Sequence, residues 1–371
     1  MKIGQYYANG FSEFMDIIAR IGSAYGLVSN SYNETQAITN VKPLWFRGHE
    51  RSDYRLAPSS MRWIANTTVE GGSYSTVRRF EELMYQHFSA KSFHQIDNRP
   101  DHLIEWQEIM QHHLIPSRLM DWSEQSALAL LFSIEAFIAA EDNPHWQEKR
   151  LHASPCVWVL NPARLNEKVY DALCDQEVIH QLVDDVMEEA ILQAGLTQKE
   201  NIVRRVLTDR IFASMKAYGK IYGKSAQGKT AHIDSIVSLS GIESMRQAAG
   251  NRLSNLVIRK QFNPYYYLLA RVFIDGVVVR DRIIPPIAEV HPYHSERIRA
   301  QKGVFTVFPF HETDALPMEF HEDCSECLFQ IRVVNPRKMA QELLQAGYRR
   351  SHLYPELEYV SQDIKNGSYR F

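Results

Sequence analysis

Apolar positions recur along this chain at two different periods, and the alternation between them sets the expected architecture. Phe11, Phe14, Ile17, Ile18 and Ile21 share one face at helical spacing, which predicts an amphipathic helix over 11–29. Asn30 to Asn40 is a polar connection, after which Pro43-Leu-Trp-Phe-Arg predicts a short buried strand ending at Gly48. Helices are expected over 78–93 and 103–113, a strand over 118–122 and a strongly apolar, buried helix over 124–140. Cys156-Val-Trp-Val-Leu160 reads as another strand, closed by Asn161-Pro162.

The character changes from about 165 to 260, where a helix-rich stretch has an acidic first half and a basic second half. Strands resume over 265–274, with Asp275-Gly276 as a hairpin turn into Val277-Val-Val279. Alternating strands follow over 303–308 and 328–333. A helix over 336–347 has proline at its start and glycine at its end. Short strands mixed with helices predict an α+β fold with a mixed, mainly antiparallel sheet and packed helices. The whole chain, 1–371, is expected to be a single domain into which 165–260 is inserted.

Composition narrows the function classes. A hydrophobic content of 45% and a charged content of 23% are ordinary for a globular protein. The net charge of -3 excludes a globally basic nucleic-acid binder and leaves room for a local basic patch. The amphipathic, acid-bearing N-terminus is not a targeting signal, and the apolar run from Ala127 to Ala140 is too short to span a bilayer. A cytoplasmic protein without membrane contact is expected. Cys156, Cys174, Cys324 and Cys327 then read as reduced thiols. Cys324-Ser-Glu-Cys327 follows His311 and His321, but a structural zinc site needs four well-spaced ligands. The pair is read as surface thiols in a polar loop, with no metal.

Three separated blocks are similar to the FRG-domain family, named for a Phe-Arg-Gly tripeptide. The first is Trp45-Phe-Arg-Gly48 with Tyr54-Arg-Leu-Ala-Pro58. The second runs from Trp106 to Ser123 and holds Gln111-His-His113 and Pro116-Ser-Arg-Leu-Met-Asp-Trp-Ser123. It resembles the family's Gln-His pair and Pro-Thr-Arg-Leu-Leu-Asp-Trp-Thr run, with serine at 117 and 123 where threonine is usual. The third is Arg297-Ile-Arg-Ala-Gln301 with Gly303-Val-Phe-Thr306, trailed by Leu353-Tyr-Pro-Glu-Leu357.

The order of Arg47-Gly48, Trp122-Ser123 and Gln301 also resembles the ADP-ribosyltransferase superfamily. Many of its members have an Arg-Gly closing one strand, a serine segment starting a later one and a glutamate opening another. That resemblance implies a split sheet, NAD as the substrate and Arg47, Ser123 and Gln301 as catalytic residues. It implies further contacts to the dinucleotide from Gly48, Tyr54, His113, Arg118, Asp121 and Trp122. Arg47 suits phosphate oxygens, Tyr54 or Trp122 could stack on nicotinamide, and His113 is expected to line the cleft. Gln301 lacks the full negative charge that a glutamate would bring. By analogy the acceptor is a macromolecule, RNA or protein, and the setting a toxin or phage-defence effector with an antitoxin or regulatory partner.

Each residue also has a structural reading. Arg47 could pair with Asp121, Ser123 could cap the following helix, and Arg297 with Gln301 could tie two blocks together. A catalytically inert nucleotide- or anion-binding module is the alternative to an enzyme. Gly223-Lys-Ser-Ala-Gln-Gly-Lys-Thr230 matches a phosphate-loop pattern, which would suit a nucleotide hydrolase, but lacks a strand before it. Arg204, Arg205, Lys216, Lys220, Lys224 and Lys229 lie among Tyr218 and Tyr222, a composition that suits nucleic acid or a solvated helix face.

Overall fold

A computed structural model describes residues 3–24, 44–66, 74–96, 100, 103–138, 154–173, 181, 272–273, 283–289, 295–310 and 316–365. The polar connection, the hairpin turn and second strand expected over 275–279, the phosphate-loop match, Cys174 and all six nucleic-acid candidates lie outside the described residues; of the strand expected over 265–274 only 272–273 are described, and they are π-helical, not extended. Of the 165–260 stretch, only its first residues and Gln181 fall within them.

The described residues form an α+β fold with one open, seven-stranded sheet. Its strands are β1 (Gly4–Ala8), β2 (Trp45–His49), β3 (Leu119–Ser123), β4 (Cys156–Leu160), β5 (Ile287–Glu289), β6 (Gly303–Val307) and β7 (Leu328–Val333). The spatial order is β1-β7-β4-β2-β3-β6-β5; β1 runs parallel to β7 and every other pairing is antiparallel. The mixed, mainly antiparallel sheet expected from the sequence is what the structure has. Two strands escaped that reading because they are short edge strands. β1 alternates burial without a long apolar run, and β5 has three residues.

The sheet nearly parts in its middle. β2 pairs with β4 over five residues, and β3 with β6 over five, but β2 meets β3 only at Phe46 opposite Ser123. The β1-β7-β4-β2 half and the β3-β6-β5 half therefore splay apart beyond one register pair.

Helix α1 (Phe11–Ala24) buries Phe14, Ile17 and Ile21, the face predicted by the periodicity. The remaining helices before the sheet's centre are α2 (Ser59–Asn66), α3 (Tyr74–Lys91) and α4 (Leu103–His112). Helix α5 (Ser126–Ile138) is apolar nearly all round and buries nine of its residues. With α1 and α8 (Pro336–Gln345) it forms a core against one face of the sheet, including Phe46, Val157 and Ile331. Helix α8 has proline in its first turn and Gly347 at φ 91° just past its end, as the sequence predicts.

A second core packs Trp45, Met120, Trp122 and Trp158 with Cys324 and Cys327. The surface position expected for those two thiols is not what the structure has. Both are fully buried, because the loop that carries them folds under the sheet as short 3-10 turns. Its hydrogen-bonding neighbour Cys327, and then burial, hold the Cys324 thiol well above its usual pKa. Among the described residues no group of three or more His, Cys, Asp or Glu is arranged to hold a metal ion. Helices α6 (Pro162–Leu173), α7 (Glu296–Gln301) and α9 (Leu357–Lys365) complete the described elements.

Candidate functional site

The tripeptide at the start of the second strand has a packing role that its sequence did not show. Successive strand residues face opposite sides, so Phe46 and Gly48 share a face and Arg47 points the other way. A Cβ on Gly48 would fall inside the van der Waals contact of the Ala129 carbonyl oxygen and 2.8 Å from Ser133 N. Gly48 therefore admits the backbone of α5, and it also lines the cleft described below.

Arg47 bridges the splayed seam. Its Nη1 donates to the Asp121 carbonyl oxygen at 2.6 Å, and Nη1 lies 3.8 Å from Asp121 Oδ2. Its Nε donates to His49 Nε2 at 3.1 Å. Burial, and then Arg47 itself, push His49 down to about 3, so the imidazole is neutral and accepts. The guanidinium thus replaces main-chain bonds that β2 and β3 do not make, which is the structural reading of Arg47. Arg47→Ala is expected to destabilise the protein by about 2–4 kcal/mol in urea denaturation. Arg47→Lys should recover less than half of that, because an ammonium lacks the planar fork. Unchanged stability in Arg47→Ala would show that this bridge contributes nothing.

Beside the seam opens a cleft of about 330 Å³. Arg47, Asp121, Ser123 and Gln301 all line it, so residues far apart in sequence do converge. Helix α4 forms one wall through Glu108, Gln111 and His112, a single helical face at spacings of three and four. Helix α7 contributes Arg297 and Ile298, and α5 contributes Ala129 and Phe132.

Asp121 is the hub. Gln111 Nε2 donates to its Oδ1 at 2.5 Å while Gln111 Oε1 accepts from Ser117 Oγ. Its side chain is 58% exposed to the water of the cleft. The surrounding walls still raise its pKa, and Arg47 opposes that rise. Glu108 lies deeper and is only 2% exposed. Burial, with the Glu105 and Asp121 carboxylates adding to it, pushes Glu108 up to about 8. The cleft therefore holds two carboxyl groups in different environments, one open and braced by donors, the other enclosed and protonated at neutral pH.

Ser123 and Gln301 line the cleft with side chains already committed. Ser123 Oγ donates to the Gln301 carbonyl oxygen at 2.7 Å and accepts from Gln125 N at 3.0 Å. It braces the turn before α5 and does not sit at the N-cap itself, since the helix starts at Ser126. Gln301 Nε2 donates to the Leu353 carbonyl oxygen at 2.8 Å. One turn earlier on α7, the Arg297 guanidinium lies 4.6 Å over the Tyr354 ring. Tyr354 in turn donates to Glu135 Oε2 at 3.0 Å, and Glu135 also accepts from Arg350. The third sequence block thus anchors the cleft wall to α5.

Three expected ligand contacts lie elsewhere. His113 is a residue too far along α4: the rotation of about 100° per residue turns it away from the cleft-lining His112, and its ring packs 6.0 Å from Phe88. Arg118 is 2% exposed, donates to the Phe308 carbonyl oxygen, and pairs with Glu81 at 3.3 Å. Tyr54 stands on the turn after β2, against His49 and Arg51. Trp122 contributes to the wall, but its indole is buried and donates to Thr306 Oγ1 at 3.0 Å, which leaves no free ring face for nicotinamide. Glu108 was missed, and Gln111 and His112 were read only as part of the signature; the helical spacing in Glu108-Ile-Met-Gln-His112 is the signal that could have joined them in one site.

The tripeptide seam, the α4 wall and the strand carrying Asp121 define a cleft-bearing α+β module. Residues 42–142 match the family model of the FRG domain, and the chain therefore carries an FRG domain. The third block lies outside that match, yet its 297–306 part borders the same cleft, held from behind by Leu353 and Tyr354. No curated protein and no solved structure matches the chain. No described helix is long and apolar enough to cross a membrane.

Proposed function

We propose that the cleft is an active site that transfers the ADP-ribosyl group of NAD to a macromolecular acceptor, RNA or protein. The observation that carries this reading is the convergence of Glu108 and Asp121 in one cleft from separate elements, in environments that treat them differently. Such separation assigns acid and base roles to paired carboxyls. A cleft of about 330 Å³ suits one half of a dinucleotide, the nicotinamide ribosyl half.

In this reaction the ribosyl C–N bond breaks with its electron pair going to the nicotinamide nitrogen. The sugar passes through an oxocarbenium-like state, and an acceptor hydroxyl or amine forms the new bond. Asp121 stabilises the positive charge and takes the acceptor's proton. Glu108 keeps its own proton and donates a hydrogen bond to a ribose hydroxyl, the part that the sequence resemblance gives to Gln301. Arg297, fixed on Tyr354, is the guanidinium for the phosphates in place of Arg47. Ser123 and Gln301 hold the frame. A cytoplasmic toxin or defence effector with an inhibitory partner is consistent with an enzyme that consumes NAD.

The inert anion-binding module rests on a different observation, the Arg297 guanidinium in the cleft wall. That module has no use for an enclosed acid beside a carboxylate, and its first candidate, Arg47, is taken up by the seam.

The pH dependence tests the proposal. With nicotinamide release as the readout, kcat should fall as pH rises through about 8, where Glu108 ionises beside Asp121. A profile flat from pH 6 to 9.5 would remove Glu108 from the chemistry.

A further inference from the structure

Leu114 ends α4 in a left-handed conformation, at φ 64°. Its N–H donates to the Gln111 carbonyl at 3.0 Å, and the Ile115 N–H reaches the Met110 carbonyl at 2.9 Å. This is the helix-closing arrangement in which glycine is strongly preferred, because a Cβ is strained there. Among the described residues, Lys302 is the other non-glycine residue with positive φ. A lysine at the C-terminal end of α7 has a compensation, since a cation is favourable against the exposed carbonyls. Leucine brings no charge, and this one brings no packing either: it is 92% exposed. It nonetheless lines the cleft, two positions from His112. A branched apolar side chain is thus held out in water, in a strained backbone, at the wall of the candidate active site. The turn is what closes α4, but nothing in the fold calls for a leucine there, and such an outlier at the wall of a cleft points to a ligand contact.

We infer that Leu114 packs against the nicotinamide ring of the substrate and sets the affinity of the cleft for it. This inference rests on the reading of the cleft as an NAD site. The two aromatic residues expected to stack on that ring are otherwise engaged, Trp122 in the core and Tyr54 outside the cleft. Leu114 supplies apolar surface at a cleft whose polar groups, Asp121 and Gln111, already bond to each other. A leucine side chain can cover a planar ring face without competing for those polar groups.

The test uses Leu114→Gly and Leu114→Asn, since both residues accept left-handed backbone. Both variants are expected to fold, with Tm raised by about 1–3 °C as the strain is relieved. Their Kd for NAD and for nicotinamide mononucleotide should rise about tenfold, the loss of roughly half a leucine's burial. ADP-ribose, which lacks the ring, should bind the variants and the wild type equally. A raised Tm with unchanged Kd for NAD overturns the inference and leaves the cleft reading standing. An equal loss for ADP-ribose overturns the ring contact. Wild-type protein that binds neither NAD nor the mononucleotide sinks the cleft reading itself, and this inference with it.

Discussion

Glu108→Leu, which removes the proposed hydrogen-bond donor, is expected to lower NAD turnover by about 100-fold or more while making the protein more stable at alkaline pH. The two effects have one cause. Glu108 is enclosed on the inner face of α4, and its carboxyl titrates at about 8 against an ordinary value of 4.5. The folded state therefore holds this proton more tightly than the unfolded chain. Any stability that the neutral acid contributes is fully present below pH 4.5 and is progressively lost as pH rises to about 8. Each tenfold tightening of proton binding corresponds to roughly 1.4 kcal/mol, so after discounting for relaxation the loss is on the order of 3 kcal/mol. Leucine fills much the same volume and cannot ionise, so the variant should overtake the wild type in urea denaturation above pH 8. A variant that loses activity and stability together, at every pH, would make Glu108 a structural residue.

Gly48→Ala should abolish folding, or leave a protein weakened by more than about 4 kcal/mol. The added methyl group meets the Ala129 carbonyl oxygen and Ser133 N, both backbone atoms of α5. Backbone cannot swing aside as a flexible side chain can, so the whole helix must move. Helix α5 carries nine buried residues of the larger core, and its displacement opens voids along the sheet. Soluble Gly48→Ala with wild-type Tm would mean that α5 sits farther from β2 than the structure places it.

What could be read in the sequence was governed by periodicity and by reach. Helix α1, strands β4 and β7 and helix α8 follow from local patterns, because one buried face or one run of apolar residues suffices to specify each. The splayed seam does not follow from such patterns. Whether β2 and β3 pair over five residues or one depends on Gly48 admitting α5 and on Arg47 substituting for main-chain bonds, both long-range facts. The convergence of Arg47, Ser123 and Gln301 was legible because each lies within a distinctive block, Ser123 and Gln301 at the end of an element and Arg47 inside β2. Their chemistry was not, since the hydrogen bonds of Ser123 and Gln301 go to carbonyls that no local pattern reveals. Glu108 was passed over because a glutamate on a helix is usually solvated. Its enclosure depends on the strand that brings Asp121 beside it.

Labelled NAD incubated with the wild-type protein and a cell lysate tests the central claim most directly. With label on the adenylate half, the cleft chemistry predicts label in a macromolecular fraction, and free nicotinamide in equal amount. Glu108→Leu, which cannot donate to the ribose hydroxyl, should reduce both together by about 100-fold while its circular dichroism stays that of the wild type. No nicotinamide release by the wild type with any lysate fraction, or equal release by Glu108→Leu, would contradict it.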